Sequence, residues 1–418
     1  MSSFDLAALF LILVALAGWA NARTLHLPSA VIMLLVGVAG SLAIILARTI
    51  NPDLTGGLVR SLTNIDFAEA VLGYMLGFLL FAGAMQVDLA ELRRRGFVVC
   101  SLATLGVLAS TAIVGGGLWL TAQALGVPLT LPWALVFGAL ISPTDPIAVL
   151  ATVKRGGLSK GLEAILQGEA LFNDGVGIVV FTALLAFATG SQASPVLALG
   201  SVVLEASGGL VLGMVAGLLV IRAMRSIDDF VVEVTLSIAL AMGVYAGAQA
   251  LHLSGPIAVV GAGLLIGDRG AQGAMSDNTQ IYLRNFWTLV DEILNGLLFL
   301  MLGLQLLVVP WEARLAGLCL AAVVLVTLAR FVVVLPWGAY LRLRHGERGA
   351  SVILAWGGLH GALSLALALS VPAVPQRTLI LAATYAVAAF SVAVQGLTFP
   401  PLAAAMARRA KAGKPKGS

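Results

Sequence analysis

Asp145, Glu169, Asp174 and Arg330 stand inside long apolar stretches of the chain, and His360 joins them. An ionisable side chain in an apolar medium is costly, so each such group pairs with an opposite charge or handles a proton or an ion. Glu169 and Asp174 share one segment, Gly168-Glu169-Ala170-Leu171-Phe172-Asn173-Asp174-Gly175. With helical rotation of about 100° per residue, Asn173 lies nearly over Glu169, while Asp174 points roughly 140° away. The two acids therefore face different surroundings. One can be locked in a structural ion pair while the other faces a water path. Arg330 is the natural partner for Glu169, because either charge left alone would be strongly destabilising. Asp174, next to an amide and not to a second acid, is then the group free to bind a proton or a cation.

Two interruptions frame these groups. Ser142-Pro143-Thr144-Asp145-Pro146 lies in the middle of an apolar run. Pro146 and Pro143 have no N–H, so the carbonyls of Ser142 and Ala139 lose their helix partners. Asp followed by Pro also reads as an N-cap before a first helical position. This span is predicted to be two half-helices with an unwound centre, the arrangement by which transporters turn free carbonyls and helix ends toward an ion. Trp356-Gly357-Gly358-Leu359-His360-Gly361 weakens a second helix near the other end of the chain.

The elements that must carry these residues follow from composition. The chain has 418 residues, 60% hydrophobic and 11% charged, with a mean hydropathy of +1.03; a soluble domain carries about 25% charged residues. Thirteen apolar spans are predicted at about 4–20, 28–47, 66–87, 97–124, 131–153, 160–189, 195–221, 230–250, 255–267, 285–308, 313–341, 350–371 and 378–406. The fold class is thus an all-α membrane protein of about 13 transmembrane helices. The interruptions fall in the fifth and twelfth spans, which run in opposite directions, the layout of inverted repeats with two broken helices. Of the 24 Lys and Arg residues, 19 follow odd-numbered spans or lie in the tail, and 4 follow even-numbered ones. The excess on one side predicts an outside N-terminus and a cytoplasmic C-terminus. The basic tail (Arg408, Arg409, Lys411, Lys414, Lys416) suits anionic lipid and not nucleic acid.

Other features carry less. Cys100 and Cys319, far apart in apolar stretches, read as small packing residues. The glycines at 261, 263 and 267 lie in a hydrophobic span with no strand before it and read as helix-packing positions. No cofactor motif is present, and the short apolar N-terminal run reads as a retained helix.

Several strings taken together resemble the NhaP/NHE branch of the monovalent cation/proton antiporters: SPTDP at 142–146, GEALFNDG at 168–175, Arg330 in the eleventh span and WGGLHGALSLALALS at 356–370. LLFAGAMQVDLAELRR at 79–94, SGPIAVVGAGLLIG at 254–267 and LLFLMLGLQL at 297–306 support it. The resemblance covers nearly the whole of 1–418 as one polytopic domain, with 407–418 a short basic tail. It implies a homodimer in which a core of about 96–189 and 311–406 moves against a dimerisation part of about 1–95 and 190–310. It implies that Asp174 binds the transported Na⁺ or H⁺, that Asn173 supports it, that Thr144 lends an oxygen beside Asp145, and that Glu169 and Arg330 form a structural bridge. His360 stands where the family often has an arginine that balances Asp145 and the broken-helix ends, and makes that charge pH-sensitive. Ala82 and Ala170 stand where some relatives have Glu and Ser.

The expected function is secondary antiport of Na⁺, or of Li⁺ or K⁺, for H⁺ by alternating access, electroneutral, without a cofactor. A bacterial inner membrane is the expected setting, with lipids, monovalent cations and a second copy of the chain as partners. A K⁺/H⁺ antiporter of the same fold and a passive cation channel are the alternatives. No serine–histidine or zinc-ligand pattern supports an intramembrane enzyme.

Overall fold

Apolar runs of this length can satisfy their backbone in lipid only as helices or as a closed barrel. The computed structural model, which describes residues 3–50, 66–145, 158–190, 195–269, 273, 275–309 and 315–412, is helical. Among the described residues ten helical runs are long and apolar enough to cross a membrane. They are α1 (Ser3–Arg23), α2 (Ser29–Ile50), α3 (Glu69–Gln86), α4 (Leu89–Ala124), α6 (Lys160–Ala188), α7 (Pro195–Met224), α8 (Phe230–Ala250), α10 (Asp277–Leu304), α11 (Ala316–His345) and α14 (Arg377–Arg408). Four shorter apolar helices are also found among the described residues: α5 (Leu131–Ile141), α9 (Gly255–Arg269), α12 (Ala350–Gly357) and α13 (Ala362–Leu369). Within the described residues each predicted span overlaps one of these helices or, in the twelfth, the pair α12 and α13; the fifth is described only as far as Asp145.

Several ends differ from the hydropathy reading. α4 starts at Leu89, two turns before the expected 97, because Asp88 caps it by accepting the N–H groups of Ala90 and Glu91. Arg93, Arg94 and Arg95 therefore ride on a helix and not in a loop. α10 likewise starts at Asp277, capped by Ser276 through the N–H of Thr279, so Arg284 is helical. α11 runs on to His345 and stops where Gly346 turns left-handed at φ 68°. Hydropathy marks the apolar middle of a helix, whereas the caps decide where its polar ends stop.

The packing is that of a membrane protein. A stripe along α11, Leu320, Val324, Leu328, Val332 and Leu335, is exposed at helical spacing, an apolar face suited to lipid. Cys100 is exposed as well, not packed inside. Inside, α2 and α10 touch backbone to backbone at Gly37 and Gly303, and Ser41 Oγ donates to the Gly303 carbonyl at 3.2 Å. α3 and α10 meet where Phe81 packs on Trp287, ring centroids 4.6 Å apart. Trp287 Nε1 donates to Ser237 Oγ at 2.9 Å, which binds α8 to the same unit. This wall faces α6.

Candidate functional site

The two interruptions come together. α5 ends at Ile141, and Ser142 Oγ donates back to the Gly138 carbonyl at 2.6 Å. The chain then runs non-helically through Pro143 and Thr144 to Asp145. In the twelfth span α12 stops at Gly357 and α13 resumes at Ala362. Asp145 and Leu359 pair as an isolated antiparallel bridge, with Asp145 N–H donating to the Leu359 carbonyl at 2.7 Å. His360, 4% exposed, donates from Nδ1 to the Pro143 carbonyl at 3.2 Å. Each break thus satisfies backbone groups that the other leaves without helix partners. A methyl group on Gly361 would sit 2.7 Å from Asp145 Oδ2, so glycine lets the carboxylate in. The expected second half-helix, from Pro146 onward, lies outside the described residues.

α6 divides the ionisable groups as its rotation requires. On one face the guanidinium of Arg330 holds Glu169 with two nitrogens, Nη1 to Oε1 and Nη2 to Oε2, the latter at 2.8 Å. Such two-point pairing is the strong form of the carboxylate–arginine contact. Nε and Nη2 also donate to the Leu354 carbonyl at 3.2 and 3.1 Å. That carbonyl belongs to the last turn of α12, which has no helical partner to offer it. Arg330 therefore neutralises Glu169 and caps the broken helix at once. Asn173, a turn beyond Glu169 and 1% exposed, donates from Nδ2 to Thr144 Oγ1 at 2.9 Å. Between the ion pair and Asn173 lies a polar gap of about 10 Å³, also bordered by Ser142 and His360.

On the other face Asp174 lines a cavity of about 170 Å³ together with Thr144 and Asp145. Ala170 lies in the same lining, and Ala82 is fully buried on α3. The opposite wall is supplied by Gln86 of α3 and by Asp291 and Asn295 of α10. Five carboxylates line the cavity, Asp145, Glu163, Asp174, Asp291 and Glu292, and among the described residues no Lys, Arg or His does. One sign of charge in a concave space concentrates cations. The structure thus gathers Thr144, Asp145 and Asp174 about one cavity, puts Asn173 behind Thr144, sets Glu169–Arg330 on the far side of α6, and places His360 at the meeting of the two breaks. The sequence reading left out Asp291 and Asn295. The available signal was a carboxylate and an amide at i,i+4 inside the tenth apolar span.

The family model described as sodium/hydrogen exchanger, transmembrane, matches residues 11–405. The Na⁺/H⁺ antiporter NhaP of Pseudomonas aeruginosa is 43% identical over 420 residues, covering 98% of each chain. The Na⁺/H⁺ antiporter NhaH of Halobacillus dabanensis is 33% identical over 401 residues, 94% of this chain and 96% of that one. Two structures of the sodium proton antiporter MjNhaP1 from Methanocaldococcus jannaschii superpose with TM-scores of 0.71 and 0.75 at 21% and 22% identity. These cover 98% and 100% of this chain and 99% and 100% of the other, and they show the shared fold. From the family match over nearly its full length and the identity to curated antiporters, the chain belongs to the sodium/hydrogen exchanger family.

Proposed function

We propose that the chain exchanges Na⁺ for H⁺ across the membrane by alternating access, with the two ions competing for Asp174. The observation that carries this reading is the cavity of about 170 Å³, which Asp174 lines beside the helix break at Thr144 and Asp145. Asp174 holds either a proton or a partly dehydrated Na⁺. Thr144 lends its hydroxyl oxygen, oriented by the amide of Asn173, and Asp145 adds negative charge at the break. Glu169 and Arg330 stay paired throughout and fix α6 to α12. Because one titratable group carries either ion, one cation exchanges for one proton and the cycle is electroneutral.

Gln86 closes α3 and Glu163 opens α6, at the ends that adjoin Arg93–Arg95 and Lys160, while Asp291 lies midway along α10, deeper in the cavity. If the basic ends are cytoplasmic, as the positive-inside distribution implies, the cavity opens inward. In the outward state the core of about 96–189 and 311–406 has moved against the dimerisation part of about 1–95 and 190–310, and Asp174 meets the opposite side. The protein works as a homodimer in a bacterial inner membrane, N-terminus outside and C-terminus in the cytoplasm. His360 holds the two breaks together through the Pro143 carbonyl.

The test is dequenching of an interior pH dye in proteoliposomes driven by Na⁺, Li⁺ or K⁺, with wild type and Asp174→Asn compared. A Na⁺ response lost in the folded variant is expected. Exchange that survives in Asp174→Asn overturns the assignment, and a K⁺ response exceeding that to Na⁺ reassigns the cation.

A further inference from the structure

We propose that Asp291, Asn295 and Gln86 form a second cation subsite on the wall of the cavity opposite Asp174, which takes a partly hydrated monovalent alkali cation before it reaches Asp174. The proposal rests on the reading of the cavity as a cation path.

Asp291 and Asn295 are one turn apart on α10, so both side chains present to the same side. Asn295 Nδ2 donates to Asp291 Oδ1 at 2.9 Å, and Gln86 Nε2 stands 3.4 Å from Asp291 Oδ2 and 3.3 Å from the Ala82 carbonyl. Both amides thus turn their N–H groups toward oxygen. Asn295 is 4% exposed and lines the cavity, yet its Oδ1 has no hydrogen-bond partner. Turning the amide over would aim this oxygen at Asp291, so the observed orientation is fixed by the carboxylate. A buried amide oxygen normally finds a donor or a cation, and Asn295 is one of the residues lining a cavity bordered by five carboxylates.

The chemistry of the donors selects the ligand. All are oxygens, which suit hard cations. Among the described residues no three His, Cys, Asp or Glu stand close enough to hold a metal ion. One nearby carboxylate with amide oxygens is too little charge for a divalent ion and suits a monovalent one that keeps part of its water. The site lies on the α3–α8–α10 wall, not on α6. The cation therefore waits on one wall and passes to Asp174 on the other.

Two measurements test this on the full-length protein. In the Asp174→Asn background, tracer ²²Na⁺ should still bind saturably, with weaker affinity than wild type, and adding Asp291→Asn or Asn295→Ala should abolish that binding. In exchange assays, Asp291→Asn alone should raise the KM for Na⁺ added on the cavity side by about three- to tenfold, with less change in kcat, and Asp291→Glu should restore it in part. Absence of saturable ²²Na⁺ binding in folded Asp174→Asn, or a wild-type KM in folded Asp291→Asn, overturns the subsite. Those outcomes are separate from the fate of the Asp174 assignment, which falls only if Asp174→Asn itself exchanges ions.

Discussion

Arg330 performs two tasks at once. It meets both oxygens of Glu169 and closes the last turn of α12 through the Leu354 carbonyl. Glu169→Gln leaves the guanidinium buried beside a neutral amide, and the expected cost is about 3–5 kcal/mol. Thermal unfolding in detergent should show a large fall in Tm for Glu169→Gln and only a small one for Asp174→Asn, whose side chain borders the cavity. Equal midpoints for wild type and Glu169→Gln would contradict the structural role. The partnership of Glu169 with Arg330 was legible in the sequence, because few charges lie so deep in apolar runs and the rotation of α6 separates Glu169 from Asp174. The Leu354 contact was not legible, since any carbonyl at a broken helix end looks the same in a sequence.

α6 can approach the first break because Gly177 has no side chain. A methyl group there would sit 2.3 Å from Pro143 Cγ. Gly177→Ala should push the Pro143–Asp145 segment away from α6 and weaken the Asn173–Thr144 hydrogen bond. The expected loss is about tenfold in apparent Na⁺ affinity, equivalent to about 1.4 kcal/mol, read as a rise in the KM for exchange. Gly116 on α4 faces open space, and Gly116→Ala should leave KM unchanged and be neutral or slightly stabilising. If both substitutions behave alike, the contact between α6 and the break has no functional weight. The break at Pro143 was readable from its prolines, and the one at 358–361 from its glycines. Their mutual satisfaction, Asp145 to Leu359 and His360 to Pro143, needed the fold. Helix middles were likewise readable from hydropathy, but the starts of α4 and α10 were not, because capping by Asp88 and Ser276 extends them past their apolar parts.

The assembly separates its surfaces by chemistry. The apolar stripe of α11 faces outward, the Glu169–Arg330 pair is closed off behind α6, and five acids line one cavity. The i,i+4 spacing marked Asp291 and Asn295, but their meeting with Gln86 was not legible, since Gln86 and Asp291 are distant in sequence and the cavity exists only through the packing of α3, α6 and α10. The central claim is that one carboxylate, Asp174, takes either a proton or Na⁺. A cation that displaces a proton from its ligand must release it. The direct measurement is proton release on adding Na⁺ to purified protein in weak buffer, at a pH where the free site is protonated. The prediction is about one proton per Na⁺ exchanged at the site in wild type, and none in Asp174→Asn. Saturable Na⁺ binding at that site without proton release in wild type, or undiminished release in Asp174→Asn, would contradict it.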